Sequence, residues 1–217
     1  MTHLTNVILM IICFIDFLFL VLDQLKAFVH WIGIQGALVG FLPLLASGGH
    51  ANFLLYLIAG LSVIIRAYIF PYFLMRAVQG IHFQRETRSV LLIFVSLLAG
   101  IIVWAFSLDF AWHLPQKDLL LPSLSLSVGF FTIAIGLILL MTRRTALLQV
   151  VGYLNLENGI YVLGISLDMR EPFLVEIGML LDLFVAIFIM GILIFHIHQN
   201  FENMDTDQLS ILKDKIQ

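Results

Sequence analysis

The chain has 217 residues, of which 61% are hydrophobic and only 12% charged. An ordinary soluble domain carries about 25% charged residues, so this composition excludes a water-soluble fold, and it excludes intrinsic disorder, which needs the opposite balance. The 11 Lys and Arg against 14 Asp and Glu leave a net charge of −3 with no basic tract for nucleic acid, and the single cysteine, Cys13, excludes a disulfide framework, a thiolate zinc cage and a four-cysteine iron–sulfur cluster.

A bilayer core of about 30 Å is crossed by about 20 apolar residues in a helix. The sequence predicts seven such spans, at roughly 4–22, 29–47, 53–78, 89–109, 120–141, 147–167 and 173–198. Stretches such as LLIFVSLLAGIIVWAF and SVGFFTIAIGLILLM are apolar all round, which suits lipid-embedded helices and not the polar–apolar alternation of barrel strands. The expected fold is an all-α, polytopic membrane helical bundle. The opening MTHLTN lacks a basic start and no small-residue cleavage site follows the first apolar run, so that run reads as an anchor. The loops are short and polar, the clearest being the turn from Ser47 to Asn52. This gives a four-helix membrane segment over 1–118, a three-helix segment over 119–198 and a polar tail over 199–217.

Seven spans sort the basic loop residues to one side. Lys26, Arg76, Arg85, Arg88, Arg143, Arg144, Lys213 and Lys215 fall together, and only Lys117 and Arg170 oppose them. The positive-inside rule then places the amino terminus outside and the tail in the cytoplasm.

Four ionisable residues, Asp16, Arg66, Glu157 and Asp182, fall within spans. Each costs about 2.5–3.5 kcal/mol at a helix centre, so each must face protein, water or an opposite charge. Such a carboxyl is a candidate to load and unload a proton. Glu157 and Asp182 each lie about 15 Å deep by helix rise, from opposite sides, and so reach one level in antiparallel neighbours. They read as a lateral proton relay or, alternatively, as two acids that each hydrogen-bond a neighbouring helix. Tyr153 and Tyr161 share the face of Glu157 at spacings of four, either serving its carboxyl or forming an aromatic packing stripe, and the adjacent Asn158 should also face protein. His196, fourteen residues beyond Asp182 on nearly the same face, is a candidate to pass a proton onward. Arg66 precedes Pro71, which is expected to kink its helix, and needs an acidic partner: Asp16, Glu157, Asp182 or a carboxylate of another subunit. Asp16 lies nearer a span end. Gly36 and Gly40, in GALVG, permit a close helix approach.

The order of segments in the last hundred residues carries a resemblance. An apolar span leads to Arg143-Arg144, then GYLNLENGIYVLG, then PFLVEIGMLLDLFVAIFIMGILIFHI and the polar MDTDQLSILK. With SVIIRAYIFPYFLMRA upstream, this resembles the hydrogenase-4 component E family, membrane subunits of group 4 nickel–iron hydrogenases. The three carboxy-terminal helices are also similar to the K-type subunit of complex I and the C-type subunit of multisubunit sodium/proton antiporters, in which two buried carboxylates carry the proton path. Aligned on Arg143-Arg144, the second carboxylate falls on Asp182. The first falls on Leu154, and Glu157 follows one turn later on the same face. The resemblance implies a chain without redox cofactors of its own. Its implied partners are an antiporter-like large membrane subunit, a channel-like membrane anchor subunit and peripheral hydrogenase subunits that hold nickel–iron and iron–sulfur centres, all in or on a bacterial cytoplasmic membrane. A self-sufficient transporter would show inverted repeats with broken helices, and none is evident in the sequence. The remaining alternatives are a subunit of a multisubunit cation/proton antiporter or inorganic-carbon transport complex, and a pure scaffold whose buried charges only lock helices together.

Overall fold

The computed structural model describes residues 2–47, 53–79, 90–113, 121, 123–143, 145–167 and 191, and the regular structure among them is helical. Helices α1 (Thr2–Val21), α2 (Leu25–Ala46), α3 (Phe53–Ile64), α4 (Phe70–Gln79), α5 (Val90–His113), α6 (Leu124–Thr142) and α7 (Ala146–Ser166) follow one another, with a π-helical turn, Ile65–Ile69, joining α3 to α4. Among the described residues, five stretches are long and apolar enough to cross a membrane: His3–Val21, Leu25–Ala46, Ala59–Arg76, Ile93–His113 and Leu124–Thr142. Helix α7 matches them in length but interrupts its apolar run with Gln149, Asn155, Glu157 and Asn158. The seventh expected span, over 173–198, lies outside the described residues.

Helices α6 and α7 form the most extensively packed pair, and α7 also packs on α2 while α1 lies against α2, α5 and α6. The main apolar core joins Ile15 and Phe19 of α1, Phe28, Val29 and Ile32 of α2, and Phe131, Ile135 and Leu139 of α6 to Val151 and Leu154 of α7. The outer surface is apolar as well. Helix α5 leaves Phe94, Val95, Leu98, Ile101, Ile102 and Phe106 exposed, and the α3–α4 segment leaves Phe53, Leu57, Leu61 and Tyr68 exposed. A continuous apolar surface of this kind is unfavourable in water and suits lipid or a membrane partner. The chain is a helical membrane protein.

Two local features depart from the sequence expectations. The expected proline kink is realised as a π turn: Pro71 has no N–H to donate, and its ring would collide with the carbonyl four residues back in a regular α-helix. The wider turn at Ile65–Ile69 relieves that crowding, and the helix resumes directly at Phe70. Arg143, assigned from the sequence to a loop facing water, is 2% exposed. Its Nη2 donates to the backbone carbonyls of Phe19 at 2.9 Å and Leu22 at 3.1 Å, and its guanidinium lies 4.7 Å from the centre of the Phe28 ring. These carbonyls belong to the end of α1, where the last turn of a helix has no N–H groups to serve it and the helix dipole favours a cation. The charge that closes α6 therefore caps α1. Arg143→Met is expected to destabilise the chain by about 2 kcal/mol through these two charge-assisted bonds. Arg143→Lys should recover only part of this, since an ammonium lacks the planar fork. Thermal unfolding of the variants in detergent checks both.

Candidate ion-path site

Two buried polar clusters meet on α7. The first is organised by Arg66, carried by the π turn. Its Nη2 lies 2.6 Å from Oε1 of Glu157, and its Nη1 donates to Oδ1 of Asn158 at 2.8 Å. The Tyr161 ring covers the guanidinium at 4.7 Å. Both charged side chains are almost wholly buried, at 4% and 2% exposure. The approach depends on Gly36 of α2: a Cβ there would lie 2.9 Å from the Arg66 Cβ and 3.1 Å from the Arg66 carbonyl oxygen. The glycine that the GALVG pattern marks for close helix approach is thus what lets the arginine backbone settle against α2.

The second cluster surrounds Asp16, which is 0% exposed although it lies toward the carboxy-terminal end of α1. Gln35 Nε2 donates to its Oδ1 at 3.0 Å, and the Thr132 hydroxyl lies 2.6 Å from its Oδ2. Asn155 Nδ2 donates to the Thr132 carbonyl at 3.0 Å, and its amide also interacts with the Asp16 carboxyl. Helices α1, α2, α6 and α7 each contribute one side chain, and Gln35, Thr132 and Asn155 are all 0% exposed. The clusters are contiguous along the chain: Gln35 and Gly36 are neighbours on α2, and Asn155 lies two residues before Glu157 on α7. Both clusters are buried within apolar helices, where the bilayer offers neither water nor counter-ions.

Among the sequence-predicted residues, Arg66, Glu157, Asn158 and Tyr161 come together, and Asp16 anchors the adjoining cluster. Tyr153 is partly buried and packs against the apolar core. Asp182 and His196 lie outside the described residues. Leu154, the position that the wider resemblance aligns with an acid, is 4% exposed and belongs to the apolar core. Gln35, Thr132 and Asn155 carry no charge, so the cost of an ionisable group in a span does not single them out. The available signal was an uncharged polar side chain inside an apolar run, which is also costly against lipid and also demands a partner.

Rv0085 of Mycobacterium tuberculosis is 32% identical to this chain over 198 residues, covering 88% of the chain and 87% of that protein. Hydrogenase-4 component E of Escherichia coli K12 is 34% identical over 121 residues, 55% of either chain, and the Shigella flexneri protein of the same name matches to the same extent. The matched segment thus spans about half the length of component E. No protein-family profile and no solved structure matches the chain.

Proposed function

The chain belongs to the family of the mycobacterial protein Rv0085 and is homologous over part of its length to hydrogenase-4 component E, and from that premise we propose that it is a non-redox membrane subunit of a hydrogenase- or formate-hydrogenlyase-like complex that helps carry a proton or sodium path. The observation that carries this reading is the pair of buried polar clusters, Asp16 with Gln35, Thr132 and Asn155, and Arg66 with Glu157 and Asn158, inside an otherwise apolar bundle. Placing charged and amide groups there costs several kcal/mol that an apolar core would not. Asp182, at matched depth in the seventh span, and His196 beyond it extend the path, with seven spans, an outer amino terminus and a cytoplasmic tail in the bacterial inner membrane. Nickel–iron and iron–sulfur centres belong to peripheral partners. An antiporter-like large subunit and a channel-like anchor subunit flank this chain.

The test is to purify the complex carrying Asp182→Asn. Hydrogen evolution and proton translocation should both fall at least tenfold, with the subunit inventory unchanged. If both activities match the unmodified complex, the conducting role is wrong. Co-purification in mild detergent without any hydrogenase subunit would refute the assignment of the complex itself.

The ion pair supports a second reading for two residues. A guanidinium held 2.6 Å from a carboxylate and also bonded to Asn158 has the geometry of a lock between the π turn and α7. In that reading Arg66 and Glu157 fix the helices on which neighbouring groups conduct.

A further inference from the structure

An open groove of about 440 Å3 runs along the outside of the bundle, between α2 and the segment formed by the π turn and α4. Small residues, Gly33, Ala37 and Ala67, line it and leave room that larger side chains would fill. Tyr68 and Tyr72, both exposed, line it from the facing segment with their rings stacked at 6.4 Å. The two segments run antiparallel, since Gly33, Gly36 and Gly40 of α2 meet Pro71, Arg66 and Val63 in that order. The start of α2 and the end of α4 therefore lie at the same end of the groove. Helical spacing of four carries each lining stripe one turn further to a cation there: from Ile34 and His30 to Lys26 on α2, and from Tyr68 and Tyr72 to Arg76 on α4. Lys26 and Arg76 are exposed, and among the described residues neither is paired with an acid. Asp23, three residues before Lys26, is half-buried and its Oδ1 is turned inward. The groove is thus apolar and aromatic along its length and basic at one end.

We propose that this groove binds one anionic phospholipid, with its phosphate between Lys26 and Arg76 and one acyl chain along the groove. From Lys26 to Ala37, where the lining stops on α2, is eleven residues, or about 16 Å by helix rise, half of a hydrocarbon core of about 30 Å. That is the depth of one leaflet and of a single lipid, whereas a partner helix would call for a groove that continues through the other leaflet. Lys and Arg in the terminal turn of a span extend their charges to the headgroup level, and basic residues between two helices at that level attract anionic headgroups. A zwitterionic lipid brings an ammonium of its own, which the two cations repel. Tyr72, one turn below Arg76, places an amphipathic ring just under the headgroups, a depth that tyrosine favours. Ala67 and Tyr68 belong to the π turn, so the bound chain lies against the turn that presents Arg66 to Glu157. The site depends on the membrane placement of the chain and not on the ion-path reading.

The test has two arms. In the first, the full-length chain in mild detergent is offered equal amounts of phosphatidylglycerol and phosphatidylcholine with the same acyl chains, and the lipid retained is read by native mass spectrometry. Phosphatidylglycerol should be retained about tenfold over phosphatidylcholine. The double variant Lys26→Gln/Arg76→Gln, altered only at exposed positions, should bring the two lipids to near parity, and inorganic phosphate should not displace the phosphatidylglycerol. In the second arm, a benzoylphenylalanine photo-crosslinker placed at Tyr68 in intact membranes should yield a lipid adduct. Equal retention of the two lipids overturns the site, as does a preference that survives the double variant. Displacement by inorganic phosphate would make it a site for a free anion, and a protein adduct at Tyr68 would assign the groove to a partner helix; either result also overturns the proposal. Neither arm reads hydrogen evolution or ion transport, so its failure leaves the assignment to a complex standing, and loss of that assignment leaves a measured lipid preference standing.

Discussion

Glu157→Gln is expected to destabilise the chain by about 3–5 kcal/mol, the cost of leaving a buried guanidinium without its opposite charge. Arg66 cannot move to water, because the π turn and Gly36 hold its backbone against α2, and its side chain is 4% exposed. Asn158 supplies a dipole at 2.8 Å but no charge. The double variant Arg66→Met/Glu157→Leu should recover most of the loss, since removing both charges also removes both desolvation penalties. A double-mutant cycle read by unfolding in detergent gives the coupling directly. A single-variant cost below about 1 kcal/mol would mean that the pair is solvated like a surface ion pair. Should the double variant regain stability and also retain full ion coupling, Arg66 and Glu157 would be a lock and the conducting groups would lie elsewhere.

Substitution of Gly136 should be as damaging by a different route. A Cβ at Gly136 would sit 2.5 Å from the Leu156 backbone nitrogen and 2.7 Å from its Cα, and one at Gly159 would sit 2.6 Å from the Ile133 nitrogen. These obstacles are main chain, so no rotamer change relieves them and the helices must separate. Gly136→Leu is therefore expected to cost at least about 3 kcal/mol, the upper end of overpacking. It should also weaken both clusters together, because the Thr132–Asn155 contact and the placement of Glu157 depend on the same α6–α7 interface. Gly60→Ala is the control: nothing lies within 4 Å of a Cβ there, and helix propensity favours alanine by about 1 kcal/mol. Melting curves in detergent separate the outcomes. A Gly136→Leu chain as stable as the Gly60→Ala chain would show that the interface yields.

How far the site could be read from sequence depended on which quantity each residue reports. Depth along a helix follows from residue count and rise, so the intramembrane placement of Arg66 and Glu157 was legible, as were the apolar runs that became helices. Partnership was legible only as a short set of alternatives for Arg66. The choice of Glu157 follows from the π turn and from the glycine that brings α2 close, neither of which has a sharp sequence mark. Sideways burial was not legible at all. Asp16 is near an end by count, yet α2, α5 and α6 surround α1 and leave it no exposure. Arg143 misled for a related reason: a basic residue after an apolar run normally reaches water, and here it turns back onto the carbonyls of another helix. The uncharged members of the clusters escaped because a threonine or an amide in a span looks ordinary until its partners are known.

The π turn also solves a problem of spacing. Along α2, the glycines that admit the neighbouring helix are Gly33, Gly36 and Gly40, and they meet Pro71, Arg66 and Val63 in that order. One strip of the interface advances seven residue steps, from Gly33 to Gly40, and its counterpart eight, from Val63 to Pro71. Two regular α-helices laid side by side advance equally per residue, so strips of unequal count would slide out of alignment like the scales of a vernier. A π turn holds more residues than an α turn, and the surplus is absorbed between Val63 and Pro71. Both ends of the α3–α4 span therefore stay in step with the same face of α2, and the residue at the point of adjustment is the arginine.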